Sequence, residues 1–126
     1  MRRVFAVSAL VLLFVPFAPA KKKPPVPTQP PITKGCVTIN KIVSHRMGFV
    51  TVPGLEGIAR NGCRGPAEIT MTIGYYAGSG QQFATRYEMG TVAPGTEWKF
   101  YHVPIMEAEQ RALKSARIID VMVMVR

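Results

Sequence analysis

Acidic side chains are scarce in this chain. Its 126 residues hold seven Asp and Glu, of which only Asp120 is an aspartate, against 16 Lys and Arg. Cysteine and histidine number two each. With so few ligands, zinc has little to bind: Cys36, His45, Cys63 and His102 match the spacing of no short zinc motif. No Gly-x-Ser-x-Gly elbow is present, and Ser44 and His45, as chain neighbours, do not form a nucleophile–base pair by themselves. The carboxylates are scattered, and nothing points to a glycosidase-like pair. Gly78 and Gly80 lack the Lys-Ser/Thr and the following helix of a phosphate loop. The expectation is a protein that is not an enzyme and uses neither cofactor nor metal.

The net charge is +9, but the excess is unevenly placed. Arg2 and Arg3 open the chain, and Lys21, Lys22, Lys23 and Lys34 flank a proline-rich stretch. From Gly35 onward ten basic residues face seven acidic ones, a net of only +3. Two thirds of the excess therefore lies outside the expected folded body, and the high pI gives no ground for specific nucleic-acid binding. Apolar residues make up 48% of the chain, enough for one packed domain and too many for a disordered one.

Residues 1–20 have the three parts of a secretory signal peptide in order. Arg2-Arg3 is the basic start, Val4 to Val15 the apolar centre, and Ala18-Pro19-Ala20 puts small residues at a cleavage site. Cleavage after Ala20 is expected, with export to the periplasm or beyond. Two alternatives stand beside this one. Arg2-Arg3-Val4-Phe5 partly resembles a twin-arginine export signal. Val4 to Ala20 could also remain as a membrane anchor, although 17 residues span only about 25 Å as a helix, short of a hydrocarbon core of about 30 Å. Residues 21–34 carry five prolines and read as an extended, solvated linker, so the folded domain is expected over residues 35–126.

Within that domain the residues predict short strands separated by turn signals. Val37–Val43 is β-branched, and Leu55–Asn61 follows a connection with room for a brief strand at 49–52. Glu68–Tyr75 alternates apolar Ile69, Met71, Ile73 and Tyr75 with more polar or smaller neighbours, the period of a half-buried strand. Ala77–Gly80 reads as a hairpin loop returning through Gln81–Glu88, and Ala93-Pro94-Gly95 as a type II turn into Trp98–Val103. Ile105, Ala108, Ala112 and Ala116 predict a short helix over 104–116, with a Glu107–Arg111 pair on its wet side. Arg117–Val125 then gives a last strand, with Ile119, Val121, Val123 and Val125 as the expected core face and Met122 and Met124 on the other, packed under the helix or left as an apolar strip. Asp120 in that strand is expected to be buried and paired with Arg117 or Arg86. The pattern predicts an all-β, antiparallel immunoglobulin- or fibronectin-like β-sandwich with one short late helix.

Cys36 opens the first strand and Cys63 follows the second. Antiparallel pairing of the two brings these cysteines together, and an exported location favours a disulfide between them.

Leu55-x-Gly57-x-Ala59-x-Asn61, Ile73-x-Tyr75-Tyr76, Val92-Ala93-Pro94-Gly95 and Trp98-x-Phe100 together resemble the motif of FxLYD-type domains, small secreted or envelope β-sandwich modules. The resemblance covers residues 55–126 and departs from the motif at Ala77, where an Asp is usual, and at Val92, where a Leu is usual. It implies a β-sandwich and an envelope setting, and no catalytic residue.

Candidate binding residues follow from surface chemistry. Tyr76, Arg86, Tyr87, Lys99 and Tyr101 are expected as an aromatic and basic surface for a peptide or carbohydrate, and Met122 and Met124 as a soft strip for a protein. The expected function is a non-catalytic exported module that binds a protein or glycan partner. The alternative is association of the Lys21, Lys22, Lys23 and Lys34 tail with an anionic membrane or polymer. His102, on an aromatic strand, is expected to be a satisfied or half-exposed histidine rather than a ligand.

Overall fold

The computed structural model describes residues 26–45 and 53–126. The expected signal peptide, the Lys21–Lys23 cluster and the brief strand at 49–52 lie outside these residues. In chain order the elements are β1 (Ile32–Lys34), β2 (Val37–His45), β3 (Gly54–Asn61), β4 (Ala67–Tyr76), β5 (Gln82–Val92), β6 (Glu97–His102), α1 (Glu107–Ala112) and β7 (Ser115–Val125). They form two antiparallel sheets, β1-β2-β3-β6 and β5-β4-β7, packed as a β-sandwich. β3 pairs with β6 in one sheet and β4 with β7 in the other, the interlocked Greek-key pairing of immunoglobulin-type sandwiches.

Alternation along β4 explains why that strand is central. Ala67, Ile69, Met71, Ile73 and Tyr75 point inward and are buried, while Glu68, Thr70, Thr72 and Tyr76 face out. Val37, Ile39, Leu55 and Ala59 meet them from the opposite sheet, each fully buried. Position 57 on this inner face takes glycine because a β-carbon there would come within 2.6 Å of the Phe100 ring on β6. Both predicted turns are present. Gly80 N–H donates to Ala77 C=O at 2.9 Å across the β4–β5 hairpin, and Gly95 takes φ +71° in the type II turn closed by Thr96 N–H to Ala93 C=O.

Cys36 and Cys63 form a disulfide with their Cα atoms 5.1 Å apart, where the register Val37↔Asn61 puts the start of β2 beside the end of β3. Asn61, fully buried, holds the loop that follows. Its side chain donates to the carbonyls of Gly65 and Val92 and accepts from Cys63 N–H at 2.7 Å. It thus joins β3 to the end of β5 across the two sheets.

The folded body begins before Gly35. Residues 32–34 pair with 37–39, and Gln29 continues the same register opposite Ile42. Prolines 30 and 31 interrupt the ladder without preventing it, because an edge strand tolerates residues that have no N–H. The linker expected over 21–34 is therefore built into the sheet from Thr28 on, where the Thr28 hydroxyl accepts from Ser44 N–H at 2.9 Å.

Three further expectations are corrected toward the C-terminus. The register shifts between Thr72 and Ile73, so Asp120 opposes Thr72 while Ile118 opposes Ile73, and Ile119 is an extra residue in a β-bulge. The bulge switches the face of the strand. Ala116 and Ile118 are inward before it and Val121 after it, whereas Ile119 is 45% exposed. Val123 is half-buried and Val125 exposed, so the expected face Ile119/Val121/Val123/Val125 is not one core face. Asp120 is exposed and makes no ion pair among the described residues, and Arg86 pairs with Glu109 instead. The helix is also shorter than 104–116 and buries none of its residues. It is held by polar contacts, Arg86 to Glu109 and Gln110 Nε2 to Pro104 C=O, and the expected Arg111–Glu107 pair forms at 2.7 Å on its exposed side. Among the described residues no helix is long and apolar enough to cross a membrane.

Candidate functional site

Three regions hold the candidate functional side chains. The first is inside the sandwich. Tyr75 on β4, Glu88 on β5 and His102 at the end of β6 all point inward, where the edges of the two sheets approach. Tyr75 Oη donates to His102 Nε2 at 2.5 Å, and His102 Nδ1 donates to Glu88 Oε1 at 2.9 Å. The Glu88 carboxylate only accepts, so Nδ1 donates to it and Nε2 is left to accept from the Tyr75 hydroxyl, whose proton is held firmly because burial, reinforced by the charge of Glu109, pushes the phenol up to about 12. The Arg86 guanidinium lies 5.8 Å over the Tyr75 ring and pairs with Glu109 of α1.

A carboxylate–imidazole–hydroxyl chain has the order of a catalytic triad, but not its access. Tyr75 is 1% exposed and His102 8%. Neither the groove described below nor the smaller hollow between β1 and β7 is lined by any of the three residues. A catalytic hydroxyl has to meet its substrate and be readily deprotonated, and Tyr75 is positioned for neither. The chain satisfies buried polar groups and ties β4, β5 and β6 together. Ser44 is likewise structural, its hydroxyl accepting from Ala116 N–H at 2.8 Å.

The second region is the outer face of the three-stranded sheet. Thr70 lies opposite Met89 on one side and Met122 on the other, and Glu68 lies opposite Thr91 and Met124. Tyr87 follows in the next row, opposite Thr72. Met89, Met122 and Met124 are 71%, 59% and 61% exposed, and no described element covers them. The third region is the outer face of the four-stranded sheet, where Pro27, Lys41, Val43, Ile58, Lys99 and Tyr101 line a groove of about 600 Å³. The other lining side chain that carries charge, Glu56, is paired with His45, whose ring stacks parallel to Tyr101 at 6.0 Å.

The aromatic and basic set expected as one surface is thus divided. Lys99 and Tyr101 face the groove, Tyr87 lies on the opposite sheet beside the methionines, Tyr76 stands at the end of β4 against Gln82, and Arg86 turns inward to Glu109. Lys34, the described member of the basic tail, is exposed on β1. Sequence reasoning missed Met89, which the alternation with Tyr87 along β5 would have placed on the outer face. It also missed Lys41 and Gln29, whose roles depend on a bulge and on a contact across 89 residues. Among the described residues no three His, Cys, Asp or Glu side chains converge as a metal site would require. No protein family, curated protein or solved structure matches the chain.

Proposed function

We propose that the chain is a non-catalytic exported module of the periplasm or cell envelope, and that it acts by binding a protein partner through the outer face of its three-stranded sheet. The observation that carries this reading is that Met89, Met122 and Met124, flanking Thr70 and Glu68 of the central strand, are all more than half exposed on one sheet face. Soluble domains seldom leave contiguous apolar side chains in water, and methionine adapts to a partner's shape at small cost. Tyr87, one row beyond Met89 on the same face, adds an aromatic anchor of the kind enriched in protein interfaces. A glycan would be served better by a cluster of aromatic rings, and the tyrosines do not lie together. The Cys36–Cys63 disulfide and the signal-like residues 1–20 support export, and the resemblance to FxLYD-type domains agrees with an envelope setting.

The experiment is capture of partners from envelope extract by the mature protein, by a variant lacking residues 21–27, and by Met89→Lys/Met122→Lys/Met124→Lys. Capture by the methionine face survives the tail deletion and raised salt, and is lost in the triple variant. Capture that needs the tail and fades steeply with salt would favour electrostatic association through the lysines instead.

A further inference from the structure

The groove on the outer face of the four-stranded sheet has features that the methionine face does not use. Between Asn40 and Val43 the β2–β3 register slips, leaving Lys41 and Ile42 opposite the single residue Gly57. This is a β-bulge, and Lys41 within it has φ +52°. Glycine is the residue that ordinarily takes a left-handed bulge position, and a lysine there is held against its preference. Such strain is kept where the side chain it presents has a use. The bulge places Lys41 in the lining of the groove, together with Lys99 of β6. Ile58 lies between them in the register, opposite both Asn40 and Lys99. Two strand spacings put the two lysine backbones about 10 Å apart, within reach of one small anionic group for side chains this long. Among the described residues neither lysine belongs to an ion pair, and Glu56 beside them is engaged by His45. The rest of the lining includes an apolar set: Val43 is buried, Ile58 is half-buried, and Pro27 is exposed. A volume of about 600 Å³ is within the range of small-molecule sites.

We propose that this groove binds a single-chain anionic amphiphile, with its carboxylate held between Lys41 and Lys99 and its alkyl chain lying on Val43, Ile58 and Pro27. The charge and the apolar floor together select the class. A purely polar anion would leave the floor unused, and a neutral chain would gain nothing from the two lysines. The site is on the sheet opposite the methionine face and does not depend on what that face binds.

The test is calorimetric titration of the mature protein with decanoate, with acetate and neutral decyl maltoside as comparison ligands. Alongside it, amide chemical shifts are mapped by NMR. Lys41→Gly keeps the left-handed bulge without strain, and Lys99→Gln alters an exposed side chain, so both variants stay folded. Decanoate binds with one saturable site, its shifts centre on Val43, Ile58 and Lys99, and each variant weakens it by about tenfold. Acetate does not bind, and decyl maltoside binds equally to the native protein and both variants or not at all. Absence of saturable decanoate binding, equal binding by the native protein and the variants, or shifts centred on Met89 and Met122 would each overturn the proposal.

Discussion

The side-chain amide of Gln29 bonds both ways to the backbone of Ile118. Its Oε1 accepts from Ile118 N–H at 3.0 Å, and its Nε2 donates to Ile118 C=O at 2.6 Å. β7 is an edge strand, so these backbone groups would otherwise lack a partner in a buried place. Gln29 stands in for a neighbouring strand and fastens the proline-rich segment of one sheet to the edge of the other. With Ser44 satisfying Ala116 N–H beside it, the first half of the β7 edge is closed to strand addition.

Gln29→Ala should therefore destabilise the domain by about 2 kcal/mol, roughly 10 °C in Tm for a domain this small. Removal of residues 1–34 should cost more, because it also removes the β1 ladder. Urea denaturation of both variants checks this. Unchanged stability in both would mean that the segment is a spacer after all.

The Tyr75–His102–Glu88 chain predicts a pH dependence. Tyr75 is raised to about 12 in the folded protein, above its ordinary value of 10.0, so the folded state holds this proton more tightly than the unfolded one. The resulting stabilisation is complete below pH 10 and is lost as pH rises through 12. Native protein should lose on the order of 2 kcal/mol more than Tyr75→Phe over that window. Parallel stability curves would show that the phenol is not held in this way.

Reduction of Cys36–Cys63 should lower stability by roughly 3–4 kcal/mol, since the bridge closes a loop between residues 27 apart in sequence. Protein recovered from an exported fraction should begin at Lys21 and show no free thiol. Intact mass before and after thiol alkylation checks both points, and a retained residue 1–20 segment would contradict cleavage.

How much of this could be read in advance depended on local pattern. The alternation of β4, the turn at Pro94-Gly95 and the pairing of the cysteines were legible because each is set by residues close in sequence or by one simple register. The last strand was not. Nearly every residue from Ile118 to Val125 is apolar, so nothing marked the phase, and one extra residue at Ile119 moved Ile118 into the core and Ile119 out of it. The helix was overextended because Ala116 fits its spacing, yet Ala116 is buried as part of β7. Prolines 30 and 31 suggested a solvated linker, and only the distant partner Ile118 gives Gln29 a buried place. Tyr75, Glu88 and His102 come from three strands and two sheets, so no spacing announces their chain. The exposed methionines became meaningful only once α1 was seen not to cover them.

The contrast between the inner and outer faces of the three-stranded sheet gives a stability prediction. Met71 is fully buried, and Met71→Ala should cost about 2–5 kcal/mol. Met122→Lys with Met124→Lys should stay within roughly 0.5 kcal/mol per site, because both side chains are exposed. Thermal denaturation separates the two cases, and loss of folding in the double lysine variant would make those methionines part of a core.

The central claim is that Met89, Met122 and Met124 form a docking face. Its most direct measurement is photocrosslinking in the exporting cell, with p-benzoylphenylalanine at Met122 and, as the comparison, at exposed Arg60 on the opposite sheet. The account predicts one discrete protein adduct from position 122, the same adduct from position 89, and none from position 60. Equal adducts from both sheets, or none from position 122 while the protein is folded and exported, would contradict it.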